Sequence, residues 1–252
     1  MSAEIRVAVE GLQSGRQLLE TDAARYVAKV HRKRVGEFIV LFDPKKGVRA
    51  RAEILEDRLP RVWVQVGQVE LVPQENVPVT LIQALGKADK PEQAVRDATA
   101  LGVETIVFAE TNRTVARSGG DTRAERLRRV SEQVARQCGR GDLPNVIGPL
   151  PLVQALGPQV HSLDLEPNCL KLVCAWHPEG MPLLLRFKEF SWSTQRVVVL
   201  IGPEGGLAES EVHLAMQAGF LPVSLGPYVL RTEAACAFVL SALRASADAA
   251  SL

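Results

Sequence analysis

From residue 79 onward, apolar runs of strand length alternate with amphipathic segments of helical period, and this alternation constrains the fold more than any other feature of the chain. VTLIQAL at 79–85 is the first such run. Pro91 opens and Gly102 closes the helical segment after it, at the places where those residues suit helix ends. TIVFA at 105–109 follows, then an amphipathic stretch from Arg123 to about Arg140. LKLVCAW at 170–176 and VVVLIG at 197–202 read as strands, 208–218 as a helix, PVSLG at 222–226 as a short strand, and Thr232 as the cap of a helix running toward the C-terminus. Strands alternating with helices predict an α/β domain with a parallel sheet covered on both faces.

The first 72 residues have a different pattern. A short strand at 5–9 precedes a helix capped by Thr21 that runs through roughly Val30. VGEFIVLF, VRARAEIL and RVWVQVGQVELV follow as strands, with a turn at Asp43-Pro44-Lys45-Lys46-Gly47. This is a small antiparallel β unit, and Pro73-Gln74-Glu75-Asn76 reads as a linker. The predicted domains are therefore 1–72 and 78–252. With 252 residues, 46% of them apolar, the chain can bury a sizeable core. The absence of an apolar stretch of membrane-spanning length argues against a membrane protein. The first residues lack the pattern of a signal peptide. Four cysteines without C-x-x-C or Cys/His ligand spacing predict reduced thiols and no metal site, as suits the cytoplasm.

Net charge is +1, but its distribution is uneven: residues 1–72 hold 13 basic and 10 acidic side chains, the remainder 17 and 19. Arg25, Lys29, Arg32, Lys33 and Arg34 concentrate the excess, and such a cluster can neutralise several phosphates. On charge alone, a solvated helix end is an equal alternative.

Binding sites of parallel sheets lie beyond the carboxyl ends of the strands. Two loops there carry the chemistry. The first, Ile201-Gly202-Pro203-Glu204-Gly205-Gly206-Leu207, joins an apolar strand to a helix. Glycine lets backbone amides approach a ligand closely. The loop is neither G-x-x-x-x-G-K-[ST] nor G-x-G-x-x-G, and Glu204 would repel a bare phosphate, so a neutral or cationic ligand suits it better. The second, Leu225-Gly226-Pro227-Tyr228-Val229-Leu230-Arg231-Thr232-Glu233, repeats the strand-to-Gly-Pro transition before the last helix.

IGPEGGLAESEV followed by LGPYVLRTEAA resembles the paired signature of the ribosomal RNA uridine-N3 methyltransferases that act on 16S RNA, a family of the SPOUT superfamily. That family shows IGPEGG-F-S-x-x-E and then LG-x-R-I-L-R-x-E-T-A. Upstream, KADKPEQAVRDATALGVETIVFAETNRTVAR, ERLRRVSEQVARQCGRGDLPNV and ARYVAKVHRKRVGEFIVLFDPKKG are similar to further family segments in the same order, so the resemblance spans nearly the whole chain.

The resemblance implies a SPOUT-type parallel sheet with a C-terminal deep trefoil knot, a small N-terminal PUA-like β-barrel that binds RNA, and a homodimer. It implies S-adenosylmethionine as cofactor and ribosomal RNA or the small ribosomal subunit as partner. Carried over by position, Leu200, Gly202, Gly206, Leu225, Gly226 and Leu230 would line the cofactor pocket, with Leu200, Leu225 and Leu230 as apolar walls. Arg231 would orient or stabilise the target base, with Glu204 and Glu233 as candidate proton acceptors. Arg113 and Arg140 match RNA-contacting positions, alongside the basic cluster at Arg25–Arg34. Some positions depart from the family: Tyr228 stands where it has arginine, Asp97 and Ala100 replace lysine and glutamate, Gln133 replaces glutamate, and Tyr26 replaces histidine. These changes leave open a SPOUT enzyme with another RNA target, or a weakened homologue that only binds RNA.

Overall fold

A computed structural model describes residues 5–72, 77–87, 89–114, 120–157, 169–190 and 196–250. The chain forms two compact units: residues 1–74 with 132–143, and residues 75–131 with 144–252.

The first unit is a six-stranded sheet. β1 (Arg6–Ala8), β3 (Phe38–Asp43), β4 (Val48–Glu56), β5 (Arg61–Val66) and β2 (Gly15–Glu20) lie in the order β1-β3-β4-β5-β2, and β6 (Glu70–Leu71) pairs with β4. β1 runs parallel to β3, so the unit is mixed, and not purely antiparallel as its sequence suggests. The expected barrel is also corrected: among the described residues β1 and β2 are the two edges, and no ladder closes them onto each other. Apolar side chains from these strands, from α1 (Thr21–Arg25) and from the turn that follows it fill the core, with Ala24, Val27, Ile39, Leu41, Ile54, Val62 and Val64 fully buried. Thr21 starts this helix with a φ of +49° and is not a cap ahead of it; a π-helical turn at Tyr26–Val30 continues it. The turn predicted at Asp43 is held by that residue itself. Its buried carboxylate accepts the backbone N–H groups of Lys45 and Lys46 at 3.1 and 3.3 Å, and those of Gly11 and Leu12 at 2.7 and 3.2 Å. Burying such a polar group is tolerable when its acceptor oxygens are filled in this way.

The second unit is a seven-stranded parallel sheet. Its strands are β7 (Val79–Ala84), β8 (Thr105–Glu110), β9 (Asn145–Pro151), β10 (Cys169–Cys174), β11 (Met181–Pro182), β12 (Arg196–Ile201) and β13 (Leu221–Ser224), in the order β11-β13-β10-β12-β7-β8-β9. Every ladder in it is parallel. β7 is buried at all six positions, which explains its unbroken apolar run. The pleat sends neighbouring residues to opposite faces. Val197, Val199 and Ile201 pack with α2 (Lys90–Ala100), α3 (Gly120–Cys138), α5 (Leu183–Lys188) and α7 (Thr232–Ala250). Val198 and Leu200 join Phe220, Leu152 and Ala215 from the side of α4 (Leu152–Ala155) and α6 (Glu209–Gln217).

α2 and α7 lie side by side and are fastened at two levels. At their starts, Lys90 pairs with Glu233. Further along, the Arg244 guanidinium donates to Leu101 O at 2.8 Å and Gly102 O at 2.6 Å, satisfying carbonyls left free at the end of α2. Among the described residues no helix is long and apolar enough to cross a membrane.

The cysteines differ in access. Cys138 is exposed, whereas burial pushes the Cys174 thiol up to about 12 and raises that of Cys236 as well. Since the thiolate is the nucleophile, iodoacetamide at pH 8 should alkylate Cys138 in the native protein and spare Cys174 and Cys236 until denaturant is added. Mass mapping of the labelled peptides checks this.

Candidate active site

The loops after β12 and β13, both at the carboxyl end of the parallel sheet, meet. Thr232 lies in the first turn of α7 and is buried. Its hydroxyl donates to Gly202 O at 2.7 Å and accepts from the side-chain amide of Gln83, on β7, at 2.9 Å. Thr232 is therefore not a cap for α7, because its oxygen is committed across to the first loop. Arg231 stands in the capping position, its carbonyl accepting from Ala235 N at 2.8 Å.

A second fastening is ionic. The Lys90 ammonium lies 3.0 Å from Glu233 Oε2 and 3.7 Å from Glu204 Oε1, and Lys87 N donates to the same Glu204 oxygen at 3.1 Å. Glu233 is held below the ordinary carboxylate range, first by the backbone amide at the helix start and then by Lys90 and Arg231, against an opposing push from burial. The sequence-predicted glutamates thus meet at a lysine that the sequence reading missed. Nothing local in the sequence marks Lys90, because its partners lie more than a hundred residues away.

A third contact ties the Thr111–Thr114 loop to the first Gly-Pro loop. Glu211, buried in the first turn of α6, accepts from Asn112 N and from Ala208 N, both at 2.7 Å. It places Arg113, whose guanidinium donates to Gly205 O.

Glycine is favoured at two points. A Cβ on Gly202 would stand 3.1 Å from Leu207 N and from Leu207 Cγ, so a side chain there would press on the tight turn. Gly226 has a φ of +117°, which other residues rarely adopt. Gly206 closes the first loop by donating to Pro203 O at 2.8 Å. Leu225 and Leu230 are partly buried and pack on the α7 side of the sheet. Leu200 is fully buried on the opposite face, so its side chain serves the core and only its backbone can face a ligand.

The two loops offer the donors and acceptors a nucleoside needs. Among the described residues, the backbone amides of Tyr228, Val229 and Leu230 donate to no protein acceptor, and the buried Gln83 Oε1 has no hydrogen-bond partner. The Arg231 side chain is exposed and, among the described residues, makes no hydrogen bond or ion pair.

The predicted RNA contacts fall in different places. Arg25, Lys29, Arg32 and Arg34 are exposed in the first unit, but Lys33 pairs with Glu37 at 2.8 Å and Arg34 with Asp57 at 3.2 Å. Arg140 groups with the first unit and holds Asp142 through two bonds of 2.7 and 2.8 Å. Arg113 belongs to the second unit.

Residues 73–244 match the RNA methyltransferase domain family. Over 246 residues, 97% of this chain and 78% of the relative, the chain is 30% identical to the ribosomal RNA small subunit methyltransferase E of Synechocystis sp.. A methyltransferase from Legionella pneumophila, solved with its cofactor SAM, superposes with a TM-score of 0.79 at 29% identity, covering 96% of this chain and 98% of that one. The ribosomal RNA small subunit methyltransferase E of Neisseria gonorrhoeae, bound to S-adenosyl methionine, gives a TM-score of 0.82 at 25% identity, covering 96% and 97%. With a matching domain over most of its length and a relative at this identity across nearly all of it, the chain belongs to the RNA methyltransferase family.

Proposed function

We propose that this chain transfers a methyl group from S-adenosylmethionine to N3 of a uridine in 16S ribosomal RNA. In this reading residues 78–252 are a SPOUT domain with a C-terminal trefoil knot, residues 1–72 a PUA-like RNA-binding domain, and the working unit a homodimer in the cytoplasm. The observation that carries it is the hydrogen bond from Thr232 to Gly202 O, which seats the start of the last helix against the first Gly-Pro loop.

The residues present fit the cofactor. Unpaired amides at 228–230 and the backbone at Gly202 and Gly206 suit the polar edge of adenine, while Leu225 and Leu230 supply apolar surface. When bound, the cofactor supplies an electrophilic methyl on a sulfonium leaving group. The protein's share is to hold the uridine in line, which contributes up to roughly 7–11 kcal/mol, and to manage the N3 proton. N3 gains a bond to carbon as it loses its bond to hydrogen, so a base must take the proton and a cation must steady the developing anion. The free Arg231 guanidinium serves as the cation. Glu233 is a poor base because its carboxyl is held below its usual range. Glu204 remains the acceptor candidate, since Lys87 and Lys90 engage only its Oε1. The exposed cations Arg25, Lys29 and Arg32 hold phosphates of the RNA.

Calorimetry with S-adenosylmethionine should give a dissociation constant in the micromolar range, about −8 kcal/mol. Mass mapping of 16S RNA from cells with and without the gene should then show one uridine losing a base methyl. Absence of binding heat, or a missing methyl on ribose or on another base, would refute the proposal.

A further inference from the structure

We infer that Lys90 is a positioning residue of the methyl-transfer site, clamping the two Gly-Pro loops at a fixed spacing through Glu204 and Glu233. The inference rests on reading those loops as the cofactor site. Lys90 begins α2, an element that neither loop belongs to, and its ammonium lies within 4 Å of a carboxylate from each side of the site. The surroundings are built for this. A Cβ on Gly86 would stand 3.1 Å from Glu204 Oε1 and 3.2 Å from Lys90 Cβ, so a side chain there would crowd the carboxylate and the lysine and push them by a few tenths of an ångström. Arg123 donates to Gly86 O at 3.4 Å and steadies the same turn.

A single ion pair in open solvent contributes little. This one differs in two respects. The side chains of Lys90, Glu204 and Glu233 are only 26, 31 and 23% exposed, so solvent screens them less. One cation also serves two anions drawn from separate loops. Without it the carboxylates repel each other, and of the contacts described between the loops the Thr232–Gly202 bond is left to hold their separation. Lys90 needs no contact with the cofactor to act, because its effect passes through the glutamates.

The test is a cycle of Lys90→Met, Glu233→Gln and the double variant, with Lys90→Arg as rescue, read by S-adenosylmethionine calorimetry and apo-protein melting. Lys90→Met should weaken cofactor binding about tenfold. Lys90→Arg should recover binding to within about threefold, and the double variant should be no worse than the worse single one. If Lys90→Met does not fold, Glu233→Gln alone must weaken binding by a similar factor, because it cuts the same clamp. Additive losses in the cycle, unchanged binding in a folded Lys90→Met, or failure of the arginine rescue would each overturn the role of Lys90 while leaving the cofactor site standing. No binding by the unaltered protein would overturn the site, and Lys90 with it.

Discussion

Thr232→Val should lower the melting temperature by about 4–12 °C and weaken S-adenosylmethionine binding, although valine has nearly the same shape. The lost hydroxyl leaves Gly202 O without its donor and Gln83 Nε2 without its better acceptor. Gln83 Nε2 keeps only a longer bond to Ala84 O at 3.3 Å, and its Oε1 is already unpaired. Stranding buried groups in this way costs about 2–3 kcal/mol, and in a chain of this size each kcal/mol moves the melting point by about 2–4 °C. Thr232→Ser keeps the oxygen and should retain most of both properties. Differential scanning calorimetry of the two variants decides the matter: a valine variant that melts within a degree of the unaltered protein would show that the loop junction does not depend on this bond.

Arg231→Ala should reduce the methyl-transfer rate about 100- to 1000-fold, the scale set by removing one preorganised donor from a developing anion. Cofactor affinity should change by no more than about twofold. That separation follows from the structure, because the guanidinium is exposed and makes no bond to either loop among the described residues, while the backbone of Arg231 stays in place to accept from Ala235. Arg231→Lys should recover only part of the rate, since a point charge lacks the planar fork. Single-turnover methylation of ribosomal RNA measures the chemical step. An alanine variant with an unchanged rate constant would remove Arg231 from the mechanism.

The central strands were legible in the sequence because their burial leaves an unbroken apolar record, as in β7 and β12. The strands that escaped sequence reading, β2, β9 and β11, are all edges of their sheets. An edge strand has one neighbour and tolerates residues that a central strand cannot. β9 contains Gly148, Pro149 and Pro151, which read as a loop. β2 contains Arg16 and Gln17, and β11 is two residues long. The open sheet of the first unit has the same origin, because nothing in the strands' own patterns specifies whether β1 and β2 meet. At the site, the glycines, Arg231 and both glutamates were visible as local motifs. Gln83 and Lys90 were not: they matter only through partners brought to them by the sheet order, in which β7 lies beside β12.

The double fastening of α2 to α7 ties the last helix to α2 from Glu233 as far as Arg244. Lys90 and Glu233 join the two rods at the ligand end, and Arg244 joins them again near their far end. Each bolt shortens the excursions that the other must restrain. On the proposed reading of these loops as the cofactor site, any change that breaks the Arg244 bonds and shifts α7 is coupled to cofactor affinity, and by thermodynamic reciprocity the cofactor acts equally on that end of the helix.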